Sequence, residues 1–106
     1  MKKLFIAAFM LVSSFGTNVM ADGHAIKMGI ILGFTGPIES LTPAMAGSAE
    51  LAFKEASDSG SLLGGKKIEV VRADSTCVDS AAATAAAEGV ISQGVAAIMG
   101  ADCSGV

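Results

Sequence analysis

Apolar residues along this chain alternate between two patterns: short, nearly unbroken runs, and stretches where they recur every three or four positions. Runs of the first kind predict buried strands, and stretches of the second predict amphipathic helices. Ile26-Lys27-Met28-Gly29-Ile30-Ile31-Leu32 is almost continuously apolar after Lys27, as expected of a central parallel strand covered on both faces. Gly33-Phe34-Thr35-Gly36-Pro37 forms the loop at its carboxyl end. Thr42-Pro43 then predicts a helix start, with Thr42 as N-cap and Pro43 at the first helical position. Met45, Ala49, Ala52, Phe53 and Ala56 give that helix its apolar stripe, Glu50, Lys54, Glu55 and Asp58 lie mostly on its other face, and Gly60 closes it.

Gly64-Gly65 marks the next turn. Ile68-Glu69-Val70-Val71 with Arg72 predicts a second strand, ending at Ala73-Asp74-Ser75. Residues 79–92 are rich in alanine, the strongest helix former and small enough for close packing on a sheet. Asp79 or Ser80 supplies the cap, and Val78, Ala82, Ala85, Ala86, Val90 and Ile91 supply the stripe. Gly94 ends this helix, and Val95-Ala96-Ala97-Ile98-Met99 predicts a third strand. The order β-α-β-α-β predicts an α/β fold, a parallel three-layer (α-β-α) sheet. Small ligands bind such sheets in the crevice at the carboxyl ends of the strands.

The third strand runs into Gly100-Ala101-Asp102-Cys103-Ser104-Gly105. A loop at that position with a hydroxyl, a glycine and free backbone N–H groups suits an anion such as a carboxylate. Ser104 has two compatible readings: a ligand-facing hydroxyl, or an N-cap for a following helix.

Composition changes the picture mainly at the N-terminus. The chain of 106 residues is 52% hydrophobic, but part of that lies in residues 4–12, an apolar run too short to span a bilayer that follows Met1-Lys2-Lys3. With Val19 and Ala21 at the −3 and −1 positions, this reads as a secretory signal peptide over residues 1–21, cut between Ala21 and Asp22. Residues 22–106 then form one unit of about 85 residues, mildly acidic and without a basic run, so nucleic-acid binding has no electrostatic footprint. His24, the only histidine, lies at the new N-terminus and is given no role.

Export places Cys77 and Cys103 where disulfides form. Each follows a predicted strand, so a bridge is feasible if those strands are neighbours or near neighbours. It would close a loop of about 25 residues, worth roughly 3–4 kcal/mol. The spacing does not resemble a zinc site, and no base is in sight to activate a nucleophilic cysteine. A structural disulfide is therefore the expectation, and no metal is expected. Gly29, Gly33 and Gly36 are spaced G-x-x-x-G-x-x-G rather than G-x-G-x-x-G, which argues against a dinucleotide fingerprint. Asp74 reads as a turn residue or as a cap for the loop around Cys77, Glu39 and Asp102 as solvated loop carboxylates, and Met28, Met45 and Met99 as core filler. No cofactor and no catalytic residue are expected.

Ile26-Lys27-Met28-Gly29-Ile30 with Thr35-Gly36-Pro37, then Gly64-Gly65-Lys66-Lys67-Ile68-Glu69-Val70-Val71, then Ile98-Met99-Gly100 with Cys103-Ser104-Gly105, resemble the branched-chain amino-acid-type periplasmic binding proteins. These are solute receptors of bacterial ABC importers with a type I periplasmic-binding fold, in which two α/β lobes enclose the ligand. The resemblance implies that residues 22–106 are the N-terminal part of lobe one, without the hinge or lobe two. It implies a disulfide between Cys77 and Cys103 and a ligand carboxylate held at Ser104, with Gly105 beside it. Residues 36–41 would line the cleft, and Leu41 stands where such receptors often carry an aromatic residue. The implied partners are a small-molecule ligand, an amino acid or related small carboxylate or amide, and a membrane permease; the implied location is the periplasm. Alternative readings are an exported α/β enzyme or a ligand-sensing module using the same cleft, though no G-x-S-x-G elbow is present.

Overall fold

A computed structural model describes residues 24–106; the signal-peptide expectation falls outside them. Strands β1 (Ile26–Leu32), β2 (Ile68–Asp74) and β3 (Ala97–Met99) alternate with helices α1 (Thr42–Asp58) and α2 (Ser80–Ser92), and a 3-10 turn at Leu62–Gly64 precedes β2. All pairing is parallel, in the order β2-β1-β3. This is the α/β sheet expected from the hydrophobic pattern.

Successive strand residues face opposite sides of the sheet. On one side Ile30 and Leu32 are fully buried against Ala46 of α1, with Phe34, Ala49, Phe53, Val70 and Met99 packed around them. On the other side Val90 of α2 reaches the sheet at Gly29, where a β-carbon would lie 2.5 Å from its Cγ1 and 3.1 Å from Ile98. The missing side chain at Gly29 thus lets α2 sit close. Arg72 rests over the Phe34 ring, 5.5 Å from its centroid, and its Nε donates to Glu50 Oε1 (2.6 Å), clipping α1 to the edge strand. Buried Ser57 accepts from the Ile68 N–H (2.9 Å) and so sets where β2 begins.

Several expectations are corrected. Leu41, not Thr42, occupies the N-cap position, already in helical conformation and without a side-chain cap; its carbonyl accepts the first helical bond from Met45. Thr42 is buried inside the first turn, where its hydroxyl donates to the carbonyls of Gly33 (3.2 Å) and Glu39 (3.4 Å). The inward stripe of α1 is consequently shifted: Ala46 is buried, whereas Met45 is 41% exposed and Ala52 lies outside. In α2, Val90, Ala82 and Ala86 face inward as expected, but Ala85 is exposed, as are Val78 (71%) and Ile91 (61%). The third strand is shorter than 95–99 because pairing to β1 starts with the Ala96 N–H on the Lys27 carbonyl (2.8 Å). Asp79 is the cap of α2, accepting from the N–H groups of Ala81 (2.8 Å) and Ala82 (3.2 Å).

Candidate functional site

The chain leaves β1 in one direction to form β2, then crosses back over β1 to form β3. A crevice opens at such a reversal, outside the carboxyl ends of the two diverging strands. Here those ends belong to β1 and β3, and the loops that leave them are residues 33–41 and 100–106.

Three side-chain ties assemble the loops. Cys77, after β2, is joined to Cys103, after β3, by a disulfide with a Cα–Cα distance of 5.3 Å, within the normal range. The bridge spans β1, since β2 and β3 flank it, and so fixes the separation of the two outer loops. Asp102 accepts the Gly33 N–H with both carboxylate oxygens (3.1 and 3.3 Å), which corrects its reading as a solvated carboxylate. Asp74 accepts from the Thr35 N–H (3.2 Å), the Thr35 hydroxyl (2.6 Å) and the Thr76 N–H (2.8 Å). It is the expected turn residue, and in addition it holds the loop after β1.

Desolvation pushes the Asp74 carboxyl upward, but the bonds from the Thr35 hydroxyl and from the Thr76, Thr35 and Phe34 N–H groups outweigh it, and its pKa is lowered. A lowered folded-state pKa adds stability that is present above the unfolded carboxylate value of about 3.9 and disappears as pH falls through the folded value. Asp74→Asn is therefore expected to cost most at neutral pH and progressively less as acid protonates the wild-type carboxyl. Urea midpoints of both proteins measured from pH 7 to pH 3 check this; a gap that stays constant with pH contradicts it.

Ser104 lies in an exposed turn closed by the Val106 N–H on the Cys103 carbonyl (3.4 Å), with Gly105 beside it and equally open. Leu41 sits just before α1, 59% exposed, its N–H on the Ile38 carbonyl (2.9 Å). Glu39 is exposed in the same loop. The structure thus brings Asp74, Cys77, Asp102 and Cys103 into one framework around the end of β1, with Ser104 presented directly after it. An apolar groove of about 290 Å³ runs between α2 and β3 beside the loop of residues 100–106, lined by Ile31, Ala83, Ala87 and Ile98 together with Gly100, Ala101 and Val106 of the loop itself. Neither Ser104 nor Leu41 lines it. Among the described residues no group of three or more His, Cys, Asp or Glu is placed to hold a metal ion.

The periplasmic binding protein family matches residues 25–106, nearly the whole described chain. The chain belongs to that family. Within it, the match is to the type I, branched-chain amino-acid-binding branch that the sequence resembles. No curated protein matches the chain. Family members are typically non-enzymatic, generally periplasmic receptors that bind a small molecule and deliver it to a transporter.

The roles of Asp102 and Thr42 in holding the loops, and the hold of Asp74 on the loop after β1, were not read from the sequence. Extending the β1–β3 register past Ile30↔Met99 puts Gly33 opposite Asp102, so the spacing carried the signal. It becomes legible only once the strand pairing is known.

Proposed function

We propose that this protein is the solute-binding receptor of an ABC importer, exported to the periplasm by a cleaved signal peptide over residues 1–21. Residues 22–106 supply the opening part of the first of two lobes, which close over the solute so that the permease recognises the loaded form. The solute is an amino acid or a related small carboxylate or amide. The observation that carries the reading is the exposed Ser104 turn at the reversal point of the sheet, braced by the Cys77–Cys103 disulfide, in a chain of this family.

In this account the Ser104 hydroxyl and the N–H groups around Gly105 take the carboxylate or amide, and Leu41 shapes the facing wall. Asp74 and Asp102 bring two carboxylates to the same strand ends. That charge favours a solute carrying a compensating ammonium, or a neutral amide, over a bare anion.

The test uses the complete receptor, stripped of bound solute by unfolding and refolding, in a thermal-shift screen of amino acids, aliphatic amides, urea, acetate and benzoate. A bound solute at ~100 Kd stabilises the native state by about 2.7 kcal/mol. The expected result is a shift with an amino acid or amide, and a Kd weakened roughly ten- to a hundredfold by Ser104→Ala, the scale of one hydrogen bond to a charged group. Turnover of a hit, or binding indifferent to Ser104→Ala, contradicts the assignment.

A further inference from the structure

β1 ends its ladder at Leu32, and the next residue, Gly33, is buried, so its N–H needs a partner inside the protein. The β1–β3 register, continued, places Asp102 at the ladder position opposite Gly33. There the Asp102 side chain, rather than a strand carbonyl, receives the N–H, with both oxygens in range (3.1 and 3.3 Å). The opposite side of Gly33 is equally occupied: a β-carbon there would lie 2.9 Å from Cys77 Cβ and 3.4 Å from Ile38 Cγ1. Its carbonyl meanwhile accepts the Thr42 hydroxyl (3.2 Å). The first residue beyond β1 is therefore the point where the exits of all three strands and the start of α1 meet.

We propose that Asp102 is a positioning residue for the ligand turn, fixing where Ser104 stands relative to β1. The disulfide alone does not do this. It ties Cys103 to the β2 loop, two strands away, while on the other flank Gly100 is pressed on the backbone of β1 at Ile31. The Asp102–Gly33 bond adds a hydrogen-bonded fixed point on β1 between Gly100 and Cys103, one residue before the bridge. A charged acceptor makes the bond stronger than a neutral one, and burial of the donor makes its loss costly. The ligand consequence rests on the proposed role of Ser104; the positioning itself does not.

Two readouts on the complete receptor test this: amide hydrogen exchange without ligand, and titration with L-leucine as probe. Asp102→Ala is expected to speed exchange at Gly33 and, in the same variant, at Val106, whose N–H closes the Ser104 turn on the Cys103 carbonyl, and to weaken leucine binding about tenfold at a temperature where the protein is fully folded. Asp102→Asn, whose side-chain carbonyl still accepts the Gly33 N–H, is expected to restore both readouts most of the way. Should Asp102→Ala not fold, Asp102→Glu is read in its place, because the extra methylene displaces the acceptor from Gly33. Unchanged exchange at Val106, or no recovery in Asp102→Asn, overturns the proposal. If wild-type receptor does not bind leucine, the exchange pattern decides alone: changes at both Gly33 and Val106 uphold the positioning role while the ligand assignment falls.

Discussion

Replacing Gly100 with alanine is expected to destabilise the protein by about 3–5 kcal/mol, combining backbone strain with a clash that nothing nearby can relieve. Gly100 has φ +130°, a conformation that side chains of L-residues rarely adopt, and it follows β3 directly. A β-carbon on it would overlap the carbonyl oxygen of Ile31, with the Ile31 carbonyl carbon at 2.9 Å and Cα at 3.3 Å. All three are backbone atoms of the central strand, so no rotamer change makes room. Gly89 gives the control. It lies inside α2 with nothing within 4 Å of its would-be β-carbon, and alanine there is expected to stabilise by about 0.5–1 kcal/mol. Chemical denaturation of the two variants checks the contrast. A Gly100→Ala midpoint within experimental error of wild type means that β3 and β1 do not approach as described.

Removal of the disulfide has the second-largest expected effect. Cys77 and Cys103 are separated by 26 positions, and closing such a loop in the unfolded chain is worth roughly 3–4 kcal/mol. Some of this is offset in the native state. Thr76 (φ +60°) and Cys77 (φ +71°) are consecutive non-glycine residues in the left-handed region, each at a cost of about 1–2 kcal/mol. Breaking the bridge lets that loop relax in part, but Asp74 still holds the Thr76 N–H. The net loss expected for Cys77→Ala with Cys103→Ala is about 2–3 kcal/mol, read from the denaturation midpoints of the double variant and of wild type. An unchanged midpoint contradicts a bracing role for the bridge.

The strands and helices were legible in the sequence because each carries one dominant signal. The apolar run of β1 has no competing period, and the alanine-rich stretch after Asp79-Ser80 marks α2, with the structure choosing Asp79 of the two candidate caps. The phase of α1 was legible only in part: Ala49, Phe53 and Ala56 turn inward as expected, Met45 and Ala52 do not. Its inward positions are filled by Thr42, Ala46, Ala49, Phe53 and Ser57, and small or hydroxylated side chains are too close in hydropathy to decide between adjacent stripes. Met45 and Leu51, both larger than the alanines that turn inward, are left outside. The same limit applies at the candidate site. Two cysteines that each follow a strand in an exported chain suggest a bridge as soon as those strands are near neighbours, whereas Asp102 gains its partner from strand register, a long-range property that no local pattern encodes. Thr42 is a related case: a hydroxyl beside a proline reads as a cap, yet the buried Gly33 carbonyl, nine residues back, was the acceptor that claimed it.

The measurement that tests the central claim most directly is native mass spectrometry of the protein purified without unfolding, followed by release and identification of any bound solute. The account predicts one small amino acid or amide per receptor, reduced or absent in Ser104→Ala. A sugar or nucleotide in its place, or an amino acid retained in full by Ser104→Ala, would contradict the assignment of the Ser104 turn as the solute-binding site.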